Sequence, residues 1–543
     1  MGKGQKVIII GLDGGTLNLM NPWMEEGELP NFSKIKKKGV YGKLRSTTPC
    51  YSAPAWVSIS TGVQPGKHGI YDFFPTDSLK KKIINSRYRR TPAIWNVLTD
   101  EGKKSIIVNI PGTYPPEKIN GVMITGLLTP SEESDFTYPK EVKNNLTKDK
   151  LGKYELEQVV VDDIPKGLTA KYAPEKLAEQ VNMITISHAT VTMNLMQKYE
   201  WDLAMVVFRG TDDAQHLLWD RKDLILSCYK KADEYLGKFM EKYPDALFII
   251  VSDHGFGQPE KYVYLNNALY NAGYLKTTSD PARGFNAFFT SMFDTFSKFI
   301  FHILPVKKLV RTQIGRKIIQ SSGVKSNIDF SKTKALYHSV CSRGIRINLK
   351  DKYIEGIVDK KDYTKVRSDL IGFLNNLKDP ETGENIVETI YTSEEIYGKN
   401  AVNDPLDLIF DLKEGYGAQE LIQPVGGMKA FLNWNAGLSI ISPPGFYDWV
   451  GDHSQYGIIF MYGKNIKAGK KIDASVVDIV PTVLSALGIA IPSYIDGKTL
   501  NDAFVKKPKV EIIEKKEKIL TKSEFDKIKK LRLILKKNKI KVK

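Results

Sequence analysis

The chain has 543 residues, 42% of them apolar and 26% charged, the composition of an ordinary soluble protein long enough to bury a sizeable core. Three cysteines, Cys50, Cys228 and Cys341, are too few and too scattered for a disulfide framework or a CxxC metal clip, and a reducing compartment fits them. The formal charge of +17 is uneven: residues 506–543 hold 16 Lys and Arg against 5 Asp and Glu, so about +11 sits in this tail, and nucleic-acid binding by the near-neutral remainder does not follow.

MGKGQK leads straight into VIIIGLD with no small-residue cleavage site, and cleavage there would remove Asp13. The start therefore reads as a first strand, and the protein as cytoplasmic. No apolar run is long enough to span a bilayer. Segments 7–13, 105–110, 204–209 and 247–252 read as buried strands, alternating with helical stretches at 30–38, 92–102, 175–199 and 223–242. Leu177, Val181, Ile184, Val191 and Leu195 recur at helical spacing, so the long helix should pack on a sheet. Such alternation predicts an α/β fold, doubly wound around a mostly parallel central sheet.

Residues 271–335 change character. The run FNAFFTSMFDTFSKFIFHILPVKKLV is an expected Phe-rich helical insertion, packed on the core or lying at a membrane surface. Residues 336–395 read as a small α/β subdomain, with RINL a strand and YTKVRSDLIGFLNNL a helix. The catalytic core is expected over 1–270 and 396–504, resuming with DLIF (407–410) and GIIFMYG (457–463), then a helix over 474–489. Residues 505–543 form the Lys-rich C-terminal tail.

Three of the apolar runs end in acids: Asp13, Asp212 and Asp253. In open α/β sheets ligands bind beyond the carboxyl ends of the strands, so three carboxylates delivered there, with His216 and His254 beside two of them, point to a metal site. Asp212 and His216 are four residues apart and share one face of a helical turn. Gly14 and Gly15 let the backbone turn sharply after Asp13. Ser52 stands just before Pro54 at an expected helix start, as an N-cap or as a nucleophile. His453, in GDHSQYGI, is the remaining candidate ligand.

These segments resemble the alkaline phosphatase superfamily, and within it the type I phosphodiesterase and nucleotide pyrophosphatase family. The order matches throughout: an Asp after strand one, a Ser followed by x-Pro, TG-x-x-P-x-x-HGI from Thr61 to Ile70, D-x-x-x-H, D-H-G and a late His. The likeness covers about residues 5–500, without the Phe-rich insertion. It implies a metal-dependent phosphoester hydrolase of phosphodiesterase or nucleotide pyrophosphatase type, on an alkaline phosphatase-like fold. Two divalent ions are implied, zinc first, with manganese or iron as alternatives. One would be held by Asp13, Asp253, His254 and the Ser52 oxygen, the other by Asp212, His216 and His453. Ser52 is then the catalytic nucleophile and forms a covalent phosphoserine.

Three departures narrow the substrate. Trp56 stands where sulfatases of the superfamily place an Arg, and Cys50 is not at the nucleophile position. Asp72 and Phe73 follow HGI where many nucleotide pyrophosphatases carry an Asn, which counts against a nucleotide. The segment from Phe74 to Asp202 is too short and too different for the insertion of a phosphoglycerate mutase. The expected partner is a small phosphoester, with an anionic membrane surface reached through 285–304 and the basic tail, and no specific nucleic acid. The alternatives are a membrane-surface phosphotransferase, and a phosphomutase or phosphomonoesterase on the same metal core.

Overall fold

Runs of β-branched residues form the middle of the molecule. Val7–Leu12 is buried along its whole length because both faces are covered: Val7 and Ile9 enter one core, Ile8, Ile10 and Leu12 the other. In the computed structural model this strand lies at the centre of a nine-stranded sheet. Residues 5–76, 83–147, 149–157, 160–161, 164–165, 173–278, 328–353, 355–422, 441–442 and 451–514 are described.

The strand order is Lys470–Ser475, Val40–Arg45, Tyr456–Tyr462, Leu247–Val251, Val7–Leu12, Leu203–Phe208, Ser105–Ile110, Gly121–Thr125 and Thr137–Tyr138. The run from Leu247–Val251 to Gly121–Thr125 is parallel throughout. Tyr456–Tyr462 is antiparallel to both its neighbours, and Thr137–Tyr138 to its one. One face is covered by the helices Pro174–Lys198 and Lys222–Lys242, through Leu177, Val181 and Leu195 of the first and Ile225, Tyr229 and Phe239 of the second. The other is covered by Ser52–Thr61, Ile94–Asp100 and Ile479–Ala486, through Trp56, Ile94 and Val483. The molecule is therefore the expected α/β architecture with a mostly parallel sheet between helices.

Register decides what happens at the sheet edge. Leu12 pairs with Phe208 and Gly11 with Val251, so three strands end at one level, just before Asp13, Asp212 and Asp253. Beyond that edge, Gly255–Gly257 and Asp452–Ser454 form a two-stranded antiparallel ribbon in which Phe256 faces His453.

A second, all-antiparallel sheet has the order Ala335–Tyr337, Gly344–Ile347, Leu408–Leu412, Val387–Thr392. The helix Tyr363–Asn375 covers it through Leu370 and Leu374, giving a third core. DLIF therefore does not return to the central sheet: Leu408 and Ile409 pair with Ile345 and Gly344. The helix expected over 474–489 is also shorter. Ala474 and Ser475 still pair with Leu44 and Arg45, so they are strand. Asp478 makes the turn, accepting from Ser475 N (2.9 Å) and Lys498 N (2.8 Å), and the helix starts at Ile479. No helix among the described residues is long and apolar enough to cross a membrane. The Phe-rich stretch 285–304 and the tail beyond 514 lie outside the described residues.

Candidate metal centre

The first carboxylate is held by a device that starts with a missing side chain. A Cβ on Gly11 would lie 2.3 Å from the Trp56 indole, so only glycine leaves room for that ring against the central strand. The indole Nε1 then donates to Asp13 Oδ2 at 3.0 Å. Gly14, at φ +67°, turns the chain, and its N–H donates to Asp253 Oδ1 at 3.3 Å. Gln215 Nε2 donates to Gly14 O (2.8 Å) and Thr211 Oγ1 to Asp13 O (2.6 Å), which fastens the turn to the helix Gly210–Leu217.

Ser52 is the first residue of the helix Ser52–Thr61, one place inside the N-cap. That cap is Tyr51, in extended conformation and with no side-chain capping bond. The Ser52 hydroxyl is thus not used on its own helix. It lies 3.1 Å from His254 Nε2 and 3.5 Å from Asp13 Oδ1. His68 pins the same helix: Ile70 N–H donates to its Nδ1 (3.1 Å), leaving Nε2–H to donate to Ser58 Oγ (3.0 Å). The HGI part of the sequence run is therefore a brace for the serine helix. Burial lowers His68 to about 3, which keeps the ring neutral.

The seven predicted site residues lie together and are buried. His254 Nε2 is 3.2 Å from Asp253 Oδ2, 3.5 Å from Asp13 Oδ1 and 3.9 Å from Asp212 Oδ1. His216 Nε2 and His453 Nε2 are 2.8 Å apart, and each is 3.4 Å from Asp212 Oδ1. Donor atoms of Asp13, Asp253 and His254 lie within 4.8 Å of one another, and so do those of Asp212, His254 and His453. His254 stands between the two groups rather than in one alone.

These residues fit divalent cations on two independent grounds. The first is the tautomer: His254 Nδ1 faces Gly255 O (3.0 Å) and His216 Nδ1 faces Gly451 O (2.9 Å). An Nδ1–H donated to each carbonyl leaves the Nε2 lone pair aimed at the carboxylates, the usual arrangement of a metal-ligating histidine. The second is charge. Asp212 Oδ1 and Asp253 Oδ2 are buried and accept no well-formed hydrogen bond among the described residues. Burial, and then Asp253 and Asp212, push the Asp13 carboxyl well above its usual range; burial and Asp212 push Asp253 up to about 7. Burial acts the same way on Asp212, but His216, His453 and Arg209 outweigh it and hold that carboxyl low. Burial, and then His254, keep His453 well below the imidazole range, hence neutral. A dication would relieve this crowding of buried carboxylates.

Several residues escaped sequence reasoning. Trp56 served only to argue against a sulfatase, yet it carries a direct bond to Asp13. Arg209 pairs with Glu157 (3.0 Å) and Asp213 (2.7 Å) and stands 3.7 Å from Asp212 Oδ2. Asp452, beside His453, accepts from Tyr51 OH at 3.3 Å and from Arg343 at 3.2 Å. Adjacency to Ser52 and His453 could have flagged Tyr51 and Asp452; Arg343 has no sequence signal. Asp72 turns to the second sheet, accepting from Ser339 Oγ and, at 3.1 Å, from Phe74 N, and burial raises it to about 6.

Residues 7–416 match the family model for type I phosphodiesterase / nucleotide pyrophosphatase. No curated protein matches the chain. Among solved structures, human ectonucleotide pyrophosphatase / phosphodiesterase 5 aligns over 92% of this chain and 100% of its own, at 14% identity and a TM-score of 0.49. The murine protein of the same name aligns over 89% of this chain and 95% of its own, at 14% identity and a TM-score of 0.46. An inactive variant of that murine protein, in complex with AMP, gives the same figures. With the family model spanning seven of the nine central strands and every site residue except His453, the chain belongs to the type I phosphodiesterase / nucleotide pyrophosphatase family, hydrolases of phosphoric ester bonds.

Proposed function

We propose that the protein hydrolyses phosphodiesters or pyrophosphates in two steps, through a covalent phosphoserine at Ser52 and with two divalent cations. The observation that carries this reading is the place of the Ser52 hydroxyl. It opens a helix, is buried, and lies 3.1 Å from His254 and 3.5 Å from Asp13, inside the ring of ligand-type side chains.

Asp13, Asp253 and His254 would hold one cation and Asp212, His216 and His453 the other, a donor set that zinc, manganese and iron all accept. Such cations supply Lewis acidity, lowering the pKa of the serine hydroxyl and offsetting charge on the phosphoryl oxygens. Ser52 Oγ gives up its proton and attacks phosphorus, the bond to the leaving oxygen breaks and that oxygen takes up a proton, and the phosphoryl group stays on the serine with its remaining substituent. The first-turn amides of the Ser52 helix add positive potential where the phosphoryl oxygens crowd. Water then cleaves the phosphoserine, attacking phosphorus while Ser52 Oγ leaves and recovers a proton. His216 and His254, oriented by their carbonyl bonds, keep their Nε2 lone pairs inward throughout. The three buried cysteines, none of them in a disulfide, support the further reading of a reducing, cytoplasmic setting.

The test is turnover of bis-p-nitrophenyl phosphate against the mono-ester, on protein whose metal is counted. About two metals per chain and faster diester cleavage are expected. Ser52→Ala should hold the metals without turnover. Failure of metal-supplemented protein to hold any cation would overturn the site, and faster mono-ester cleavage would replace the diesterase with a phosphatase or mutase.

A further inference from the structure

Asp452 is a junction for three parts of the molecule that are far apart in sequence. Its Oδ1 accepts from the Tyr51 hydroxyl (3.3 Å) and from the backbone N–H of His453 (2.7 Å). Its Oδ2 accepts from Arg343 (3.2 Å). Tyr51 is the N-cap of the helix that Ser52 opens, and its ring lies 4.3 Å from that of His453. One carboxylate thus fixes both the residue before the nucleophile and the backbone of a ligand-type histidine.

Arg343 comes from elsewhere, the hairpin turn between Ala335–Tyr337 and Gly344–Ile347 of the second sheet. It is 7% exposed, and its guanidinium lies 5.4 Å from the centroid of the Tyr51 ring. Two costs are visible in its placement. A buried guanidinium loses its hydration, a cost that a paired charge offsets, and Asp452 is that partner. Its backbone is at φ +39°, a region non-glycine residues seldom occupy and that is retained where the surroundings over-determine it. The turn is held at a second point too, where Ser339 Oγ donates to Asp72 of the HGIYD run.

We infer that Arg343 and Asp452 are a positioning pair through which the inserted sheet sets the placement of His453 and of the Ser52 helix. Arg343 neutralises Asp452 and fixes the rotamer in which its other oxygen serves Tyr51 and His453. The second sheet is then a working part of the metal centre. This rests on the metal-centre reading above. Supporting groups around metal ligands typically cost about 10- to 100-fold in metal affinity or activity when removed.

The experiment uses the full chain as wild type, Arg343→Met, Arg343→Lys, Asp452→Asn and Tyr51→Phe. Each is loaded with zinc, dialysed against a weak chelator and counted for metal. Melting temperature, and kcat and KM for bis-p-nitrophenyl phosphate, are then measured. Arg343→Met and Asp452→Asn should lose zinc at chelator concentrations at least tenfold below those that strip wild type. Their kcat should fall at least tenfold with KM within threefold, and Arg343→Lys should recover most of both losses. Wild-type zinc retention and kcat in Arg343→Met and Asp452→Asn would overturn the pair, as would a loss confined to KM. Should those two variants melt far below wild type, Tyr51→Phe decides, since it removes one hydroxyl. A three- to tenfold fall in kcat at unchanged melting temperature is expected, and wild-type kcat overturns the inference. A wild-type chain that holds no zinc would instead reject the metal centre, a failure the metal count separates from failure of the pair.

Discussion

The central and inserted sheets meet the same need, burying apolar strands, in opposite ways. Val7–Leu12, Leu203–Phe208 and Leu247–Val251 are parallel, buried on both faces and aligned in register, so their ends present Asp13, Asp212 and Asp253 together. The inserted sheet is antiparallel, and its strand Val387–Thr392 is half open to solvent. Its hairpin turn before Gly344 carries Arg343 to Asp452, beside His453. Chemistry is supplied by strand ends in the first case and by a loop in the second, so a core defect should be felt at the site more directly in the central sheet.

The largest expected effects probe the strand ends themselves. Ser52→Ala should lower turnover by about a thousandfold or more with metal retained, and Asp212→Ala should lower it as far with metal lost; turnover and metal content separate the two. Next comes a matched pair of glycines. Gly11→Ala places a Cβ 2.3 Å from Trp56, so we expect about 1–3 kcal/mol of destabilisation in urea together with reduced metal retention, because Trp56 must leave Asp13. Gly383→Ala, at φ +75° in the inserted unit with open space around it, should cost about 1 kcal/mol and leave turnover unchanged. Equal loss of turnover in both would break the contrast between the sheets.

Trp56→Phe sharpens it. A smaller aromatic ring replaces the indole, so packing volume and the N–H to Asp13 are both lost; stability should fall by about 1–3 kcal/mol, with a metal affinity at least several-fold weaker by chelator competition. The effect least visible at neutral pH is on pH dependence. His68 titrates at about 3 in the fold, below the usual imidazole value, so the unfolded chain binds its proton first as pH falls. Stability from this group is present above about pH 6.5 and is lost towards pH 3, by on the order of 1 kcal/mol per unit. A His68→Gln variant should show a flatter melting temperature between pH 6.5 and 4, on a lower baseline because the Ile70 and Ser58 bonds change.

The parts legible in the sequence are those where one strong local pattern suffices. Continuous β-branched runs marked the central strands, and acids at their ends marked the site. DLIF went astray because a short apolar run says that a strand is buried and not in which sheet. Lys470–Ser475 was missed because an edge strand with polar side chains carries no apolar run. The N-cap alternative for Ser52 failed by one residue, since Tyr51 already has the extended backbone of a cap. Arg343 was invisible because its role depends on a turn folding back onto Asp452, and no local pattern encodes that.

His216 and His453 are 237 residues apart in the chain, yet their Nε2 atoms are 2.8 Å apart. Much of the chain between them is the inserted unit. The entropy of closing a loop grows only with the logarithm of its length, so doubling the whole separation would cost about 0.6 kcal/mol. Chain length between the two histidines is therefore nearly neutral. An insert of another size could be spliced there with little penalty, provided it returned one arginine to the same turn.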